Sequence, residues 1–401
     1  MTGVLGALVE AWDELRMHKL RVLLSLVGVA VSVAAMTAVL AVGQMTAQAQ
    51  SELMDRDSGR QTTLTVNAYG ATPGATAGVV PAMRALAERY EVDHSSVVQW
   101  LPSRFRAGGA TFDAELRLVD QPYGTMHRVA VEDGAWFALG DEERLAPAIV
   151  VNESFLAALG APGLEAHPTA TLPGADPVTF VVTGVMANRW PEEMPTAFVL
   201  YDSWTRVAGA PDADPAMFAP PQMELWVPPG VAELGMETVR RDLSAALGEG
   251  ATVDVYSNDL SGQDAFDDTF RLVVLGIGTL VLMLGALSLV NISLVTVRQR
   301  IREIGIRRSF GATSGRVFFS IMLESVVATV VAGAVGVGLP IAVVENLPLE
   351  QLLGFSLQDA PPFPLSAALS GLAAAAGVGA LAGLLPAVVA VRVRPIDAIR
   401  Y

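Results

Sequence analysis

Residues 297–325 read VRQRIREIGIRRSFGATSGRVFFSIMLES, and this stretch decides how the chain is built. One apolar run ends at its start and another begins at its end, with Arg298, Arg300, Arg302, Arg307, Arg308 and Arg316 between them. Arginine is expensive in hydrocarbon, so a short charged elbow joins two membrane spans here. Gly305 and Gly311 supply backbone freedom where the chain bends. Thr313 or Ser314 is competent to cap the helix that follows. Composition alone leaves two readings open: a loop that only fixes membrane topology, or a projecting basic helix that a partner grips.

Outward from the elbow, four apolar stretches reach the roughly 20 residues that a bilayer crossing requires. They are expected at 22–43, 271–297, 317–344 and 365–391. A cleaved signal peptide competes for the first, but the run is too long for a signal core and no clean A-x-A site follows it. A further intramembrane charge, Glu324, lies about two turns into the third span. It is expected to snorkel or to pair with an elbow arginine in a structural role, rather than to serve as a proton site. Gly333, Gly336 and Gly338, with Gly379 and Gly383 four apart, are of the type that lets membrane helices approach closely. They are equally what an arginine-over-lysine, GC-rich genome would produce.

Arginine placement sets the orientation. Arg16, Lys19 and Arg21 precede the first span, Arg392, Arg394 and Arg400 follow the last, and the loop at 345–364 carries only acids. The positive-inside rule therefore puts both termini and the elbow (298–316) in the cytoplasm, and 44–270 and 345–364 outside. The 44–270 region holds 32 acidic and 13 basic side chains, a net −19, while the rest of the chain carries +4. An acidic exterior argues against nucleic acid as a partner.

The whole composition agrees with a membrane part and a water-soluble part in one chain. Of 401 residues, 52% are hydrophobic and 17% charged, with mean hydropathy +0.45 and net charge −15. Cysteine is absent, which excludes disulfides, thiolate nucleophiles and cysteine-ligated zinc. Four histidines stand without metal-ligand spacing, and Lys19 is the one lysine, with no glycine-rich turn before it. No Walker A loop exists in these residues, so any ATP that drives the chain is hydrolysed elsewhere and no cofactor is expected here.

The 44–270 region reads as α+β. Strands are expected at 61–66, 97–102, 114–119, 148–152, 179–186, 197–201 and 251–257, and helices at 81–90, 153–159 and 231–247. Loops are marked at 70–78 and 211–215. The pairs Glu192–Glu193 and Asp267–Asp268 and the run Asp141–Glu143 read as solvated surface rather than metal ligands. Trp100, Trp136, Trp190, Trp204 and Trp226 read as core rather than a cleft. At the other end, Leu5, Leu8, Trp12 and Leu15 recur at helical spacing, so 1–21 is expected to be an amphipathic helix lying along the inner interface.

EIGIRRSFGAT (303–313), PAVVAVRVRPIDAIRY (386–401) and HKLRVLLSLVGVAVSVA (18–34) together resemble the FtsX-like, MacB-type family of ABC transporter permeases. The similarity extends through VAVEDGAWFALGDEERLAPAIVVNESFLAALG (129–160) and VTFVVTGVMAN (178–188). Nearly the whole chain is covered, with the segments in order. Ser309 and Phe310 depart from the family's usual leucine-containing run.

The resemblance implies a bacterial inner-membrane permease of four helices with a large exterior domain between the first and second. It also implies pairing with a second copy or a paralogue, and docking of a separate ATPase dimer that binds the ATP–Mg. By position, Arg302, Glu303, Ile304, Gly305, Ile306, Arg307, Gly311 and Ala312 would form the ATPase-coupling helix. The family transmits motion to an exterior domain for efflux or extraction, with membrane lipid and an extracytoplasmic adaptor or substrate protein as further partners. The alternative is a membrane-anchored sensor or regulator of an envelope partner such as a cell-wall hydrolase, without transport. An enzyme is the weakest class, since no nucleophile–base pair or metal set appears.

Overall fold

A computed structural model describes residues 19–69, 78–107, 109–174, 176–209, 220–258, 261–348, 351 and 353–392. Most of the 1–21 helix, the 392–401 tail, the 211–215 loop and nearly all of 70–78 lie outside the described residues, as do the side chains of Asp267 and Asp268. The chain divides into a helical unit (1–48, 263–348 and 361–401) and an α/β unit (49–262 and 349–360).

The helical unit is built from α1 (Lys19–Ser58), α7 (Ser261–Gln299), α9 (Ser314–Val344) and α10 (Leu365–Arg392), with the short α8 (Ile301–Ser309) between α7 and α9. The four long helices are apolar enough to cross a membrane. In hydrocarbon a helix satisfies its own backbone, so these runs have no alternative regular structure. Their shared core joins Val29, Val33 and Met36 of α1, Leu282 of α7, Ala332 and Val337 of α9, and Ala375 and Val378 of α10. Glycine makes the closest approaches. A Cβ at Gly336 would lie 2.5 Å from the Ala30 carbonyl, and one at Gly379 would overlap Thr329 Oγ1 and stand 2.8 Å from Val326 Cα. Gly383 likewise faces Ser325 and Gly333 faces Ala375, whereas Gly338 meets nothing within 4 Å and is not a packing glycine.

Helix α1 continues fifteen residues past the span expected to end at 43, and its last turns belong to the α/β unit. That unit holds β1 (Thr63–Tyr69), α2 (Val79–Arg89), β2 (Ser95–Ala107), β3 (Ala110–Val119), α3 (Tyr123–Met126), β4 (Asp133–Gly134) and β5 (Ala148–Asn152). Then follow α4 (Glu153–Leu159), β6 (Thr169–Leu172), β7 (Val178–Met186), β8 (Thr196–Leu200), α5 (Tyr201–Ala208), β9 (Gln222–Trp226), α6 (Ala232–Leu247) and β10 (Thr252–Ser257). The sheet runs β10-β1-β9-β2-β3-β8-β5-β7-β4, and β6 pairs with β2 and β7.

Strand β2 is thirteen residues long and serves two neighbours. Its start pairs with β9 (Val97 with Met223) and its remainder with β3 (Leu101 with Leu116), so one strand carries both halves of the sheet. Strands β5 and β8 are buried along their whole length, which explains their uninterrupted apolar runs. The AIVVN motif ends on Asn152, whose buried amide oxygen accepts from Phe155 N–H (3.0 Å), capping α4, and from Thr196 N–H (2.9 Å). Five elements escape sequence periodicity: the short α3, β4 and β6, then β9, five residues bracketed by prolines, and α5, which begins where the apolar strand is expected to end.

If glycine contact holds α9 to α10, Gly379→Val should lower the thermal midpoint of the full chain in detergent, by the equivalent of about 1–3 kcal/mol. Gly338→Ala should leave the midpoint nearly unchanged.

Candidate functional site

The elbow is a closed helical turn. Helix α7 stops at Gln299, Arg300 leaves helical geometry, and α8 starts at Ile301. At the other end Gly311 adopts φ +94°, the left-handed conformation that favours glycine. Gly311 N–H donates to Arg308 C=O and Ala312 N–H to Arg307 C=O, both at 3.1 Å, which is the paired bonding of a Schellman cap. Thr313 Oγ1 then accepts from Arg316 N–H (3.4 Å) and opens α9. Gly311-Ala312-Thr313 thus ends one helix and begins the next. Gly305, expected at a bend, lies inside α8 and is buried, so the bends fall at Arg300 and Gly311 instead.

Charge follows the same logic. Glu303 in the first turn of α8 and Arg307–Arg308 in the last match the helix dipole. Glu303 Oε1 pairs with Arg307 Nη2 at 2.8 Å and Oε2 with Arg300 Nε at 3.1 Å. Arg308 Nη1 donates to Val391 C=O of α10 (3.0 Å), anchoring the elbow to the last helix. Ile304 packs with Val297, Val317 and Ala390, and Ala312 rests against them. Ile304, Gly305 and Ala312 therefore hold the elbow in place, while Arg302, Ile306, Arg307 and Gly311 are exposed. Phe310, 88% exposed, stands one turn from Ile306, 49% exposed. Glu324 Oε2 lies 3.6 Å from Arg300 Nη1, which ties α9 to the residue between α7 and α8.

The α/β unit contains a second concentration of polar groups, buried rather than exposed. His127 is 1% exposed, stacks on Tyr123 at 3.8 Å and has an acceptor at each ring nitrogen. Nδ1 faces the Arg56 carbonyl at 3.1 Å and Nε2 the Glu224 carboxylate at 2.6 Å. A carbonyl only accepts, so Nδ1 is the ring nitrogen that donates, and Nε2 faces the carboxylate. Burial pushes the Tyr123 hydroxyl up to about 12, against the pull of Arg117. Burial also opposes the charge on Arg117, but Tyr123 and Glu115 outweigh it and its pKa is raised. The Arg117 guanidinium bonds Glu115 at 2.5 Å and sits 5.0 Å from the Trp100 ring centroid. Arg56, Arg117, Arg189, Glu193 and His127 surround a cavity of about 50 Å³, room for a few waters. Their carboxylate and carbonyl partners leave this cluster internally satisfied.

Other acidic groups are engaged in local structure. Glu193 binds Arg189 (2.6 Å), and Asp141 binds Arg144 (2.8 Å) and caps Ala138 N–H. No group of side chains suited to a metal ion occurs among the described residues. The tryptophans do not share a cleft, and of the five only Trp204, stacked on Phe180, is buried core; Trp136 packs on Phe137 and Phe198, while Trp100 and Trp190, expected in the core, are exposed beside Arg117 and Arg189. Of the cluster around His127, the sequence singles out Glu193 alone, as solvated surface, and it is instead buried against Arg189; the signal for the rest is Glu52 and Arg56, one turn apart in the polar end of an otherwise apolar helix.

Four membrane helices, an α/β unit inserted after the first and a capped basic elbow after the second define a transporter-type permease. Residues 22–254 match the MacB-like periplasmic core domain and residues 275–395 the FtsX-like permease C-terminal family. The chain belongs to the FtsX-like, MacB-type ABC transporter permeases. It is 25% identical to the macrolide export ATP-binding/permease protein MacB of Nitrobacter winogradskyi, over 97% of this chain and 59% of that protein. It is 26% identical to the uncharacterized ABC transporter permease YvrN of Bacillus subtilis, over 71% of this chain and 69% of that one. Against the solved periplasmic region of MacB from Actinobacillus actinomycetemcomitans, the TM-score is 0.41 at 13% identity, covering 53% of this chain and 97% of that one. The chain spans just under three-fifths of the length of the MacB-type relatives it matches.

Two outcomes follow from the buried cluster. Glu224→Ala, which strands the buried His127, should cost about 3 kcal/mol in unfolding free energy, whereas Glu224→Gln, whose amide can donate to Nε2, should cost less. Because the folded Tyr123 value lies above that of an unfolded tyrosine, stability is full below about pH 10 and falls by up to about 2.7 kcal/mol as pH rises toward 12. Tyr123→Phe should remove that loss, and alkaline titration of phenolate absorbance alongside unfolding measures it.

Proposed function

We propose that the chain is the membrane-spanning subunit of an ABC transporter, in which ATP hydrolysis by an ATPase outside these 401 residues moves the α/β unit to export or extract a substrate at the outer face of the bacterial inner membrane. In this reading both termini and the elbow are cytoplasmic, and the acidic α/β unit is extracytoplasmic. Two copies, or one copy and a paralogue, pair so that each elbow meets one ATPase subunit carrying ATP–Mg.

The carrying observation is the exposed face of α8. Ile306 and Phe310, one turn apart, present exposed apolar side chains on an elbow whose Arg302, Arg307 and Arg316 are exposed as well. Aromatic and arginine side chains are the types enriched at protein interfaces. Behind that face Ile304, Arg308 and Arg300 hold the elbow to α10 and α9, so force applied to it reaches the long helices. Coupling is assigned to Arg302, Glu303, Ile304, Gly305, Ile306, Arg307, Gly311 and Ala312, and Phe310 joins them as the exposed anchor. Glu324 serves to brace Arg300. Macrolide, syringafactin and pyoverdine export, for which relatives are named, support export over the sensor alternative.

The test is reconstitution with a candidate ATPase. Arg307→Glu and Phe310→Ala should each reduce stimulation of ATP turnover at least about tenfold without lowering the thermal midpoint. The exchange Glu303→Arg/Arg307→Glu restores an ion pair within α8 but should not restore stimulation. Wild-type turnover in all three would remove the elbow from the coupling path.

A further inference from the structure

The connection between α9 and α10 includes residues 351–360, which belong to the α/β unit, and three of its residues, Ser356, Gln358 and Asp359, carry an unusual number of bonds. Glu52, on the last turns of α1, is only 5% exposed. Its Oε1 accepts from Gln358 N–H (2.7 Å) and its Oε2 from Asp359 N–H (3.4 Å). Arg56, one turn further, donates from Nη1 to Ser356 C=O (3.0 Å). Ser356 in turn donates its N–H to Arg189 C=O (2.8 Å) and its hydroxyl to Asn188 C=O (2.6 Å). Arg128 bridges Asp359 (2.9 Å) and Asp55 (3.5 Å), the latter also on α1.

An ordinary surface loop satisfies its backbone with water. Here a buried carboxylate is committed to two loop amides, and a buried carboxylate is costly unless such bonds compensate it. Glu52 and Arg56 share one face of α1 at i,i+4, so a single rigid helix holds both ends of the segment 356–359. Slack is small: Leu365, which opens α10, follows Asp359 by six residues, at most about 20 Å of extended chain.

We infer that Glu52 and Arg56 are positioning residues that clamp the α9–α10 connection to the end of α1, making that connection a second tether through which membrane helices move the α/β unit. The mechanical half of this inference rests on the coupling role proposed above; the clamp does not. With the clamp closed, α1 acts on the α/β unit directly, and α9 and α10 act on it through the same bonds.

The clamp is tested on the full chain in lipid nanodiscs, without any ATPase, by hydrogen exchange over residues 351–360. Wild type should be protected, Glu52→Ala/Arg56→Ala should exchange at least about tenfold faster there, and Glu52→Gln, which keeps an acceptor oxygen, should stay near wild type. Fast exchange in wild type, or equal protection in the double variant with its core still protected, would overturn the clamp. With a stimulating ATPase and ATP, nucleotide-dependent exchange changes within the α/β unit should shrink at least about fivefold in the double variant and recover in Glu52→Gln. Unaltered changes would overturn the tether. A wild-type chain that stimulates no ATPase would count against the coupling assignment instead, and exchange at 351–360 would decide the clamp by itself.

Discussion

A backbone amide or carbonyl without a partner in hydrocarbon costs several kcal/mol, and water is not there to supply one. Everything in the helical unit follows from that constraint. Once each crossing must be a helix, attraction between helices comes from close packing rather than from expelled water. That is why Gly336 meets a carbonyl of α1 and why Gly379 and Gly383 meet α9. It also makes α1 and α7 uninterrupted rods of 40 and 39 residues, the latter roughly 58 Å long at about 1.5 Å per residue. A rod with no break bends little, so a displacement at one end is felt at the other.

Charge is held by named partners in two parts of this arrangement. At the elbow, Arg300 pairs with Glu303 and Glu324, and Arg308 spans to the Val391 carbonyl of α10. In the α/β unit, Arg56, Arg117, Arg128 and Arg189 each find a carboxylate, a carbonyl or a ring face. Buried pairs of this kind add little net stability compared with apolar packing, but breaking one strands its partner. They therefore specify one arrangement of the end of α1, the helix Tyr123–Met126 and the connection at 356–359.

The same few residues can thus be rigid and consequential. Schellman closure at Gly311 and the Thr313 cap fix the backbone of that turn, so α8 is a fixed projection rather than a loop that samples many shapes. Its apolar anchor, Phe310, is exposed although nothing in its backbone requires it.

By itself the sequence determined the membrane crossings, the arginine elbow with a cap at Thr313 or Ser314, and most strands, because hydropathy, charge and alternation are local properties that no neighbour can reverse. The family followed from motifs equally local, EIGIRRSFGAT above all. Tertiary structure alone decided which glycines pack, for Gly338 and Gly336 look alike until the opposite helix is present. It decided that β2 serves two halves of the sheet and that the short, proline-bracketed β9 joins it. It also brought Glu52, Arg56, Arg128 and Arg189 to a connection some 300 residues further along than Glu52. Charges on an exposed-looking helix end carry no local mark of burial; that is conferred only by the distant segment that folds over them.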